Sequence, residues 1–276
     1  MHAVSFNKVY FRYSGMREFA LADVSVDIEE GEFILVTGHS GSGKSTFCRL
    51  INGLIPNFYE GELTGKVYVF GEDTKKLRVF QLAKKVGMVF QNPDNQIIMD
   101  TVERDIAFSL EYRGFTREEM RNRITKILKT LGIEHLANRK IDTLSGGEKQ
   151  LVALAGVLVM EPKMLLLDEV SAYLSPRSLK RLISIIKLLN KEYGTSIMLI
   201  DHRLDLFVKV ADRVIIMYDG VIYQDGDPQT IFKNLINKKL GINIPTIVKI
   251  YERLYLRGIR IDKIPLDHIE LADIIN

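Results

Sequence analysis

Cysteine is nearly absent: Cys48 is the single thiol in 276 residues. One thiol excludes an internal disulfide and a cysteine-rich metal site, and it suits a reducing compartment. An excess of one charge is missing as well, since 38 basic residues stand against 35 acidic ones, a net of +3. That balance argues against a nucleic-acid-binding surface, so no nucleic acid is expected among the partners. Long apolar runs are also lacking. The longest, Leu151 to Met160, falls well short of the roughly 20 residues that a membrane-crossing helix needs. Any link to a membrane must then come through a partner. The opening stretch MHAVSFNKVYFRYSG lacks a basic start, an apolar centre and a small-residue cleavage site, so no secretory leader is expected. Internal repeats and low-complexity segments are not visible. What remains is a composition of 46% hydrophobic and 26% charged residues, sufficient for a large buried core without a disulfide or metal staple.

Alternating and β-branched patterns predict strands over Ala3–Val9, Phe33–Thr37, Lys66–Phe70, Val86–Phe90, Met164–Leu167, Ser196–Ile200 and Arg213–Met217. The runs 33–37, 164–167 and 196–200 are apolar throughout, as strands buried on both faces of a parallel sheet must be. Helical patterns lie between them, so the fold class is α/β. From Asn92 to about Met160 helix signals dominate, and this stretch reads as a helical insertion. Thr116-Arg-Glu-Glu119 is a capping box whose helix should run towards Leu131, with Gly132 as its stop. Near Asp227-Pro228 the core ends. Two helical patterns follow, one starting near Pro228 and one from Pro245 to Gly258, and they form a small C-terminal appendix.

Three stretches carry chemistry. Gly38-His39-Ser40-Gly41-Ser42-Gly43-Lys44-Ser45 matches the phosphate-binding pattern GxxxxGK[ST] between a predicted strand and a helix that continues through Thr46. Its glycines let backbone N–H groups turn inward around phosphates at the positive end of a helix. Lys44 would reach the β- and γ-phosphates, and Ser45 would ligate Mg²⁺. Met164-Leu-Leu-Leu-Asp168-Glu169 is a buried strand ending in two carboxylates. Asp168 is placed to hold Mg²⁺ through water, and Glu169 to polarise the attacking water. Leu144-Ser145-Gly146-Gly147-Glu148-Lys149-Gln150 contains a second capping box, Ser145 with Glu148, opening a helix to Met160. Stability alone does not explain it, because each glycine in a helix costs up to about 1 kcal/mol relative to alanine. Glycines there let a backbone come close to an anion facing the helix N-terminus.

The LSGGEKQ stretch resembles the signature of the ABC ATPase family, and other motifs of that family fall in order around it over about residues 3 to 228. The resemblance implies a P-loop NTPase, RecA-like core with a mainly parallel sheet and an N-terminal antiparallel β portion. It implies an ATPase domain over 1–228 with a helical subdomain at about 92–160 inserted, and a small helical domain over 229–276. ATP and Mg²⁺ are the implied cofactors, held by residues 38–46. Gln91 stands as the family's glutamine that senses Mg²⁺ and the transmembrane partner, His202 as its switch histidine at the γ-phosphate, and Tyr13 as the aromatic on adenine. Taken singly, His202 could be a plain surface histidine, Tyr13 core filler, and Gln91 says nothing. The strand positions add weight: Lys44, Gln91, Asp168, Glu169 and His202 all lie just beyond predicted strand ends, where ligands bind in open α/β sheets. The family's signature acts on the ATP of a second subunit, so Ser145, Gly146, Gly147 and Glu148 would work in trans.

Gln91-Asn-Pro-Asp-Asn-Gln96, followed by Thr101-Val-Glu-Arg-Asp-Ile-Ala-Phe108, looks like the ATPase subunits of energy-coupling factor transporters, importers of vitamins and transition-metal ions. The partners so implied are a second ABC ATPase, a transmembrane coupling subunit and a substrate-binding membrane subunit, with the chain peripheral on the cytoplasmic face of the membrane. The alternatives are another ABC importer, or an ABC ATPase outside transport. The gap from phosphate loop to signature holds only about a hundred residues without heptads, unlike the coiled-coil insertions of chromosome-organising relatives. Two departures stand out. Ser175 replaces the usual D-loop aspartate, and Asp201 stands where threonine often precedes the switch histidine. The first favours pairing with a related but different ATPase over a homodimer.

Overall fold

The computed structural model describes residues 1–235, 242–258 and 263–275. Residues 236–241, 259–262 and 276 of the expected 229–276 domain lie outside the described residues. The chain divides into two compact units: Met1–Arg78 with Met198–Asn276, and Val79–Ile197. In chain order the strands are β1 His2–Tyr13, β2 Leu21–Glu29, β3 Phe33–Thr37, β4 Gly61–Val69, β5 Glu72–Asp73, β6 Val86–Val89, β7 Met164–Asp168, β8 Ser196–Ile200, β9 Arg213–Tyr218 and β10 Val221–Gly226.

In the first unit, β2-β1-β4-β5 form an antiparallel sheet. Its inner face is set by alternation: Val4 and Phe6 of β1 stand between Ile28 and Val26 of β2 and Val69 and Val67 of β4, all buried. The Phe6 ring stacks on Phe47 at 4.4 Å, which ties this sheet to the helix Lys44–Ile51. Next to β8, the apolar β3 is buried at every residue and pairs in parallel with β9. Strand β9 turns back into β10 through Asp219 and Gly220, both at positive φ, as a two-residue hairpin turn requires. Arg213, at the start of β9, donates to both oxygens of Asp225 at 2.5 and 2.6 Å and to the Asp27 carbonyl at 2.9 Å. Asp225 and Glu32 hold its guanidinium above the usual arginine range. Helices Pro228–Leu235, Thr246–Leu256 and His268–Ile275 complete this unit.

In the second unit, β6 and β7 pair in parallel, and helices Val102–Tyr112, Arg117–Leu131, Gly146–Leu158 and Pro176–Tyr193 accompany them. Leu151–Ala155 and Leu158 are buried, so that helix is apolar nearly all round. Among the described residues no helix is long and apolar enough to cross a membrane.

The α/β class, the buried parallel strands and the antiparallel N-terminal portion are as the sequence implies. The strand expected over Lys66–Phe70 begins at Gly61, and that expected over Val86–Phe90 ends at Val89. Strands β2, β5 and β10 and the helix His268–Ile275 were not expected.

Candidate functional site

The first unit holds the phosphate loop. Gly38 has φ 154°, and a Cβ there would sit 2.1 Å from the Met217 carbonyl oxygen; at Gly43, φ 98°, it would sit 2.5 Å from that of Ala20. Only glycine fits either place. The loop so formed curls around Lys44, which is 6% exposed. Its ammonium donates to the carbonyls of Gly38 at 3.0 Å and His39 at 2.8 Å, and to the Ser42 hydroxyl at 3.4 Å. Lys44 also begins the helix Lys44–Ile51, whose N-cap Gly43 brings no side-chain acceptor to the first N–H groups. A cation and a helix N-terminus without a side-chain cap therefore belong to the same loop, which suits a polyphosphate. Ser45 is partly exposed there, and Thr46 points back to Tyr13, with Oγ1 and Oη 3.0 Å apart.

Tyr13 ends β1 partly exposed, and Arg49 donates to its hydroxyl at 2.9 Å. The Arg49 guanidinium lies 4.4 Å over the Tyr59 ring, and Tyr13 meets Tyr59 edge-on. Tyr13 is thus brought to the helix that the phosphate loop opens. His39 does more than fill a loop position: its Nδ1 lies 2.7 Å from the Ser40 carbonyl, its Nε2 lies 3.0 Å from Asp219 Oδ1, and its ring packs edge-on against Tyr218. This tie to the β9–β10 turn was missed from sequence, though the Asp219-Gly220 turn signal was there. His202 follows β8, neighbour of β3, and is partly exposed. Asp201 is buried, and its Oδ1 takes the Arg203 N–H at 2.8 Å, which fixes the turn around the histidine.

The second unit holds the carboxylates and the signature. Asp168 ends β7 and is 8% exposed. Glu169 follows in the left-handed region at φ 50°, a strained conformation for a residue with a side chain. Register explains its partner. Val89 of β6 pairs with Leu167 of β7, so Gln91 and Glu169 both lie two residues beyond that pair. Gln91 Nε2 donates to Glu169 Oε2 at 2.7 Å. A residue that meant nothing alone in the sequence orients the candidate base.

At the signature, Glu148 N–H donates to Ser145 Oγ at 3.3 Å, while Ser145 N–H and Oγ–H both donate to Glu148 Oε2 at 2.8 Å. These donors, the backbone N–H first, hold the Glu148 carboxyl below its usual range. Arg139 stands 3.5 Å from its other oxygen. The loop after Glu169 runs close to the two glycines: a Cβ at Gly147 would lie 3.0 Å from the Tyr173 carbonyl, and one at Gly146 would lie 3.5 Å from the Tyr173 ring. Gly147 therefore has a packing reason besides anion approach. Ser175, the D-loop departure, caps the helix Pro176–Tyr193 by taking the Ser178 N–H at 3.2 Å. Serine and aspartate cap about equally well, so the change leaves this helix start intact.

The sequence profile of the ABC transporter family matches residues 21–172, more than half of the chain and every motif from the phosphate loop to the two carboxylates. The chain belongs to the ABC transporter family. It is an ABC ATPase, an ATP-binding and ATP-hydrolysing subunit. The energy-coupling factor transporter ATP-binding protein EcfA1 of Ligilactobacillus salivarius is 40% identical over 271 residues, 98% of this chain and 94% of that one. The structure of CbiO1 from Clostridium perfringens, part of the ABC transporter complex CbiONQ, matches with a TM-score of 0.76 and 31% identity, over 93% of this chain and 97% of the other. A dimeric ATP-binding cassette in a post-hydrolysis state, bound to ADP and Pi, matches with a TM-score of 0.73 and 30% identity, over 82% of this chain and 99% of that one. The fold of this ABC ATPase is thus shared with a cassette captured after hydrolysis.

Proposed function

We propose that this ABC ATPase energises a membrane importer of the energy-coupling factor type, for vitamins or transition-metal ions, as one of a pair of cassettes on the cytoplasmic face. The observation that carries the reading is the capped helix tip at Ser145 with glycine at its first two helical positions. A helix start of that kind is suited to anion contact, and in this family it serves the ATP of the opposite cassette. Kinship to EcfA1 and to CbiO1 supports the choice of transporter class. The partners would be a second ATPase, a transmembrane coupling subunit and a substrate-binding membrane subunit. The Ser175 departure favours a related but different ATPase as the second cassette.

In this reading, residues 38–46 hold the triphosphate, with Lys44 on its β- and γ-phosphates, and Tyr13 stacks on adenine. Glu169, oriented by Gln91, polarises the attacking water, and His202 contacts the γ-phosphate. Ser145, Gly146, Gly147 and Glu148 serve the partner's nucleotide. Ser45, Gln91 and Asp168 would hold Mg²⁺, which neutralises developing phosphate charge when bound. Among the described residues no group of three or more His, Cys, Asp or Glu could hold a metal. This donor set fits a hard cation that arrives with the nucleotide and keeps most of its waters.

Glu169→Gln tests the assignment. The variant should bind ATP, hydrolyse it roughly 10²- to 10³-fold more slowly, and accumulate an ATP-dependent dimer on size-exclusion chromatography. Turnover at the wild-type rate would remove Glu169 from the mechanism.

A further inference from the structure

The residues just after His202 make contacts that nucleotide binding does not use. After the histidine the chain forms one helical turn, Leu204–Phe207, then runs through Val208 to Lys209. Leu204, Phe207 and Val208 are buried and fix its inner side. On the outer side, Asp205 and Lys209 each hold the start of a C-terminal helix. Thr246 donates to Asp205 twice, from N–H to Oδ1 at 2.5 Å and from its hydroxyl to Oδ2 at 3.1 Å. Asp205 so caps the helix Thr246–Leu256, whose own N-cap, Pro245, makes no side-chain cap bond. The Lys209 ammonium donates to Asp267 and lies 4.0 Å from Glu270 Oε1. Asp267 and Glu270 together open the helix His268–Ile275: Glu270 N–H donates to Asp267 Oδ1 at 2.8 Å, and Leu266 N–H to Glu270 Oε2 at 2.8 Å. The pairing lifts Lys209 above its ordinary range, and the Glu270 N–H followed by Lys209 holds Asp267 below its own. All of these residues belong to the first unit.

A four-residue helical turn has too few internal hydrogen bonds to hold its own place. Its position is set by what packs on either side. We propose that Asp205 and Lys209 are positioning residues that latch the two C-terminal helices to the segment carrying His202, so that the appendix sets where the imidazole stands and how fast ATP is cleaved. This rests on the reading of His202 as the γ-phosphate contact. The role acts within one chain and on the chemical step.

The test uses the full chain, with Asp205→Ala and Lys209→Ala made singly and together, and His202→Ala alongside. Steady-state hydrolysis and binding of a non-hydrolysable ATP analogue are the readouts. In the double variant kcat should fall about tenfold, since small displacements of a catalytic group carry losses of that order or more. KM for ATP and affinity for the analogue should stay within about twofold, the pattern of an interaction felt in the transition state alone. Asp205→Asn retains an acceptor and a donor for Thr246, and Lys209→Arg retains the ion pair, so both should restore turnover. Wild-type kcat in the double variant well below its melting temperature, with His202→Ala inactive, would overturn the latch alone. Full turnover in His202→Ala would overturn the reading of His202 and the latch with it.

Discussion

Two helices of the second unit begin with the same device and then diverge. Thr116 and Glu119 cap Arg117–Leu131 with bonds of 2.8, 2.8 and 3.3 Å, and Ser145 and Glu148 cap Gly146–Leu158 with the same three distances. The residues inside the box differ: Arg117 and Glu118 in the first, Gly146 and Gly147 in the second. Burial differs too, with Ile124, Leu128 and Leu131 forming a single stripe on the first helix while the second is buried nearly all round. The second helix draws its stability from that burial, so it tolerates a first turn without side chains. Capping is a stability device available to any helix. Glycines behind the cap shape a surface, and the contrast is what supports proposing them as part of the site.

The largest break in the parallel should come from the second helical position. Gly147→Val would press against the Tyr173 carbonyl and fill the approach to the helix tip. Hydrolysis should fall at least about a hundredfold, the scale of losing an oriented donor in phosphoryl or acyl transfer. Glu118→Val, the matching change on the other helix, should leave the ATPase rate within about twofold. Equal rates for the two variants in a phosphate-release assay would dissolve the distinction. A smaller contrast is expected at the caps. Ser145→Ala and Thr116→Ala should each lower stability by about 1 kcal/mol in urea unfolding, but Ser145→Ala alone should also reduce hydrolysis, by about tenfold. If Thr116→Ala slows turnover as much, the signature cap has no special role.

The features legible in the sequence share a physical trait: their pattern is local. Phe33–Thr37 and Ser196–Ile200 are apolar at every position, and both ran as expected. The box at Thr116 and the stop at Gly132, with φ 55°, likewise lie within a few residues of what they control. Strand β2 carries the same local signal, with Val24, Val26 and Ile28 alternating with Asp23, Ser25 and Asp27, and it should have been read as a half-buried strand. Strand β10 shows no fully buried residue, yet its Asp219-Gly220 turn was a readable hairpin signal. The candidate site divides in the same way. The phosphate loop, Asp168 and Glu169 could be found by pattern, whereas the bond from Gln91 to Glu169 depends on the register of β6 against β7. The links from Asp205 to Thr246 and from Lys209 to Asp267 span 41 and 58 residues, with no periodic signal between them.

The smallest effect concerns acid. Glu119 and Glu148 both titrate below the ordinary glutamate value of 4.5, first because the backbone N–H of the capping residue donates to each, then because its hydroxyl does. Glu148 has the further pull of Arg139 and His135, and Glu119 that of Arg123. A carboxyl depressed in the folded state favours folding wherever the unfolded chain binds more protons. Each box therefore contributes fully above about pH 4.5 and loses its contribution as the pH falls through the lower folded value. Glutamine in place of either glutamate keeps an acceptor for the cap but cannot titrate. Glu119→Gln and Glu148→Gln should thus lower the melting temperature slightly near neutrality, where the ionised carboxylate contributes, and flatten its decline below about pH 4.5. A steeper acid decline in either variant would mean that the carboxylate is not what holds the cap. If the two curves coincide, Arg139 and His135 add no more at the signature than Arg123 adds at the other box, and the boxes are electrostatically alike; a larger flattening for Glu148→Gln would mark the signature end as the more strongly charged of the two.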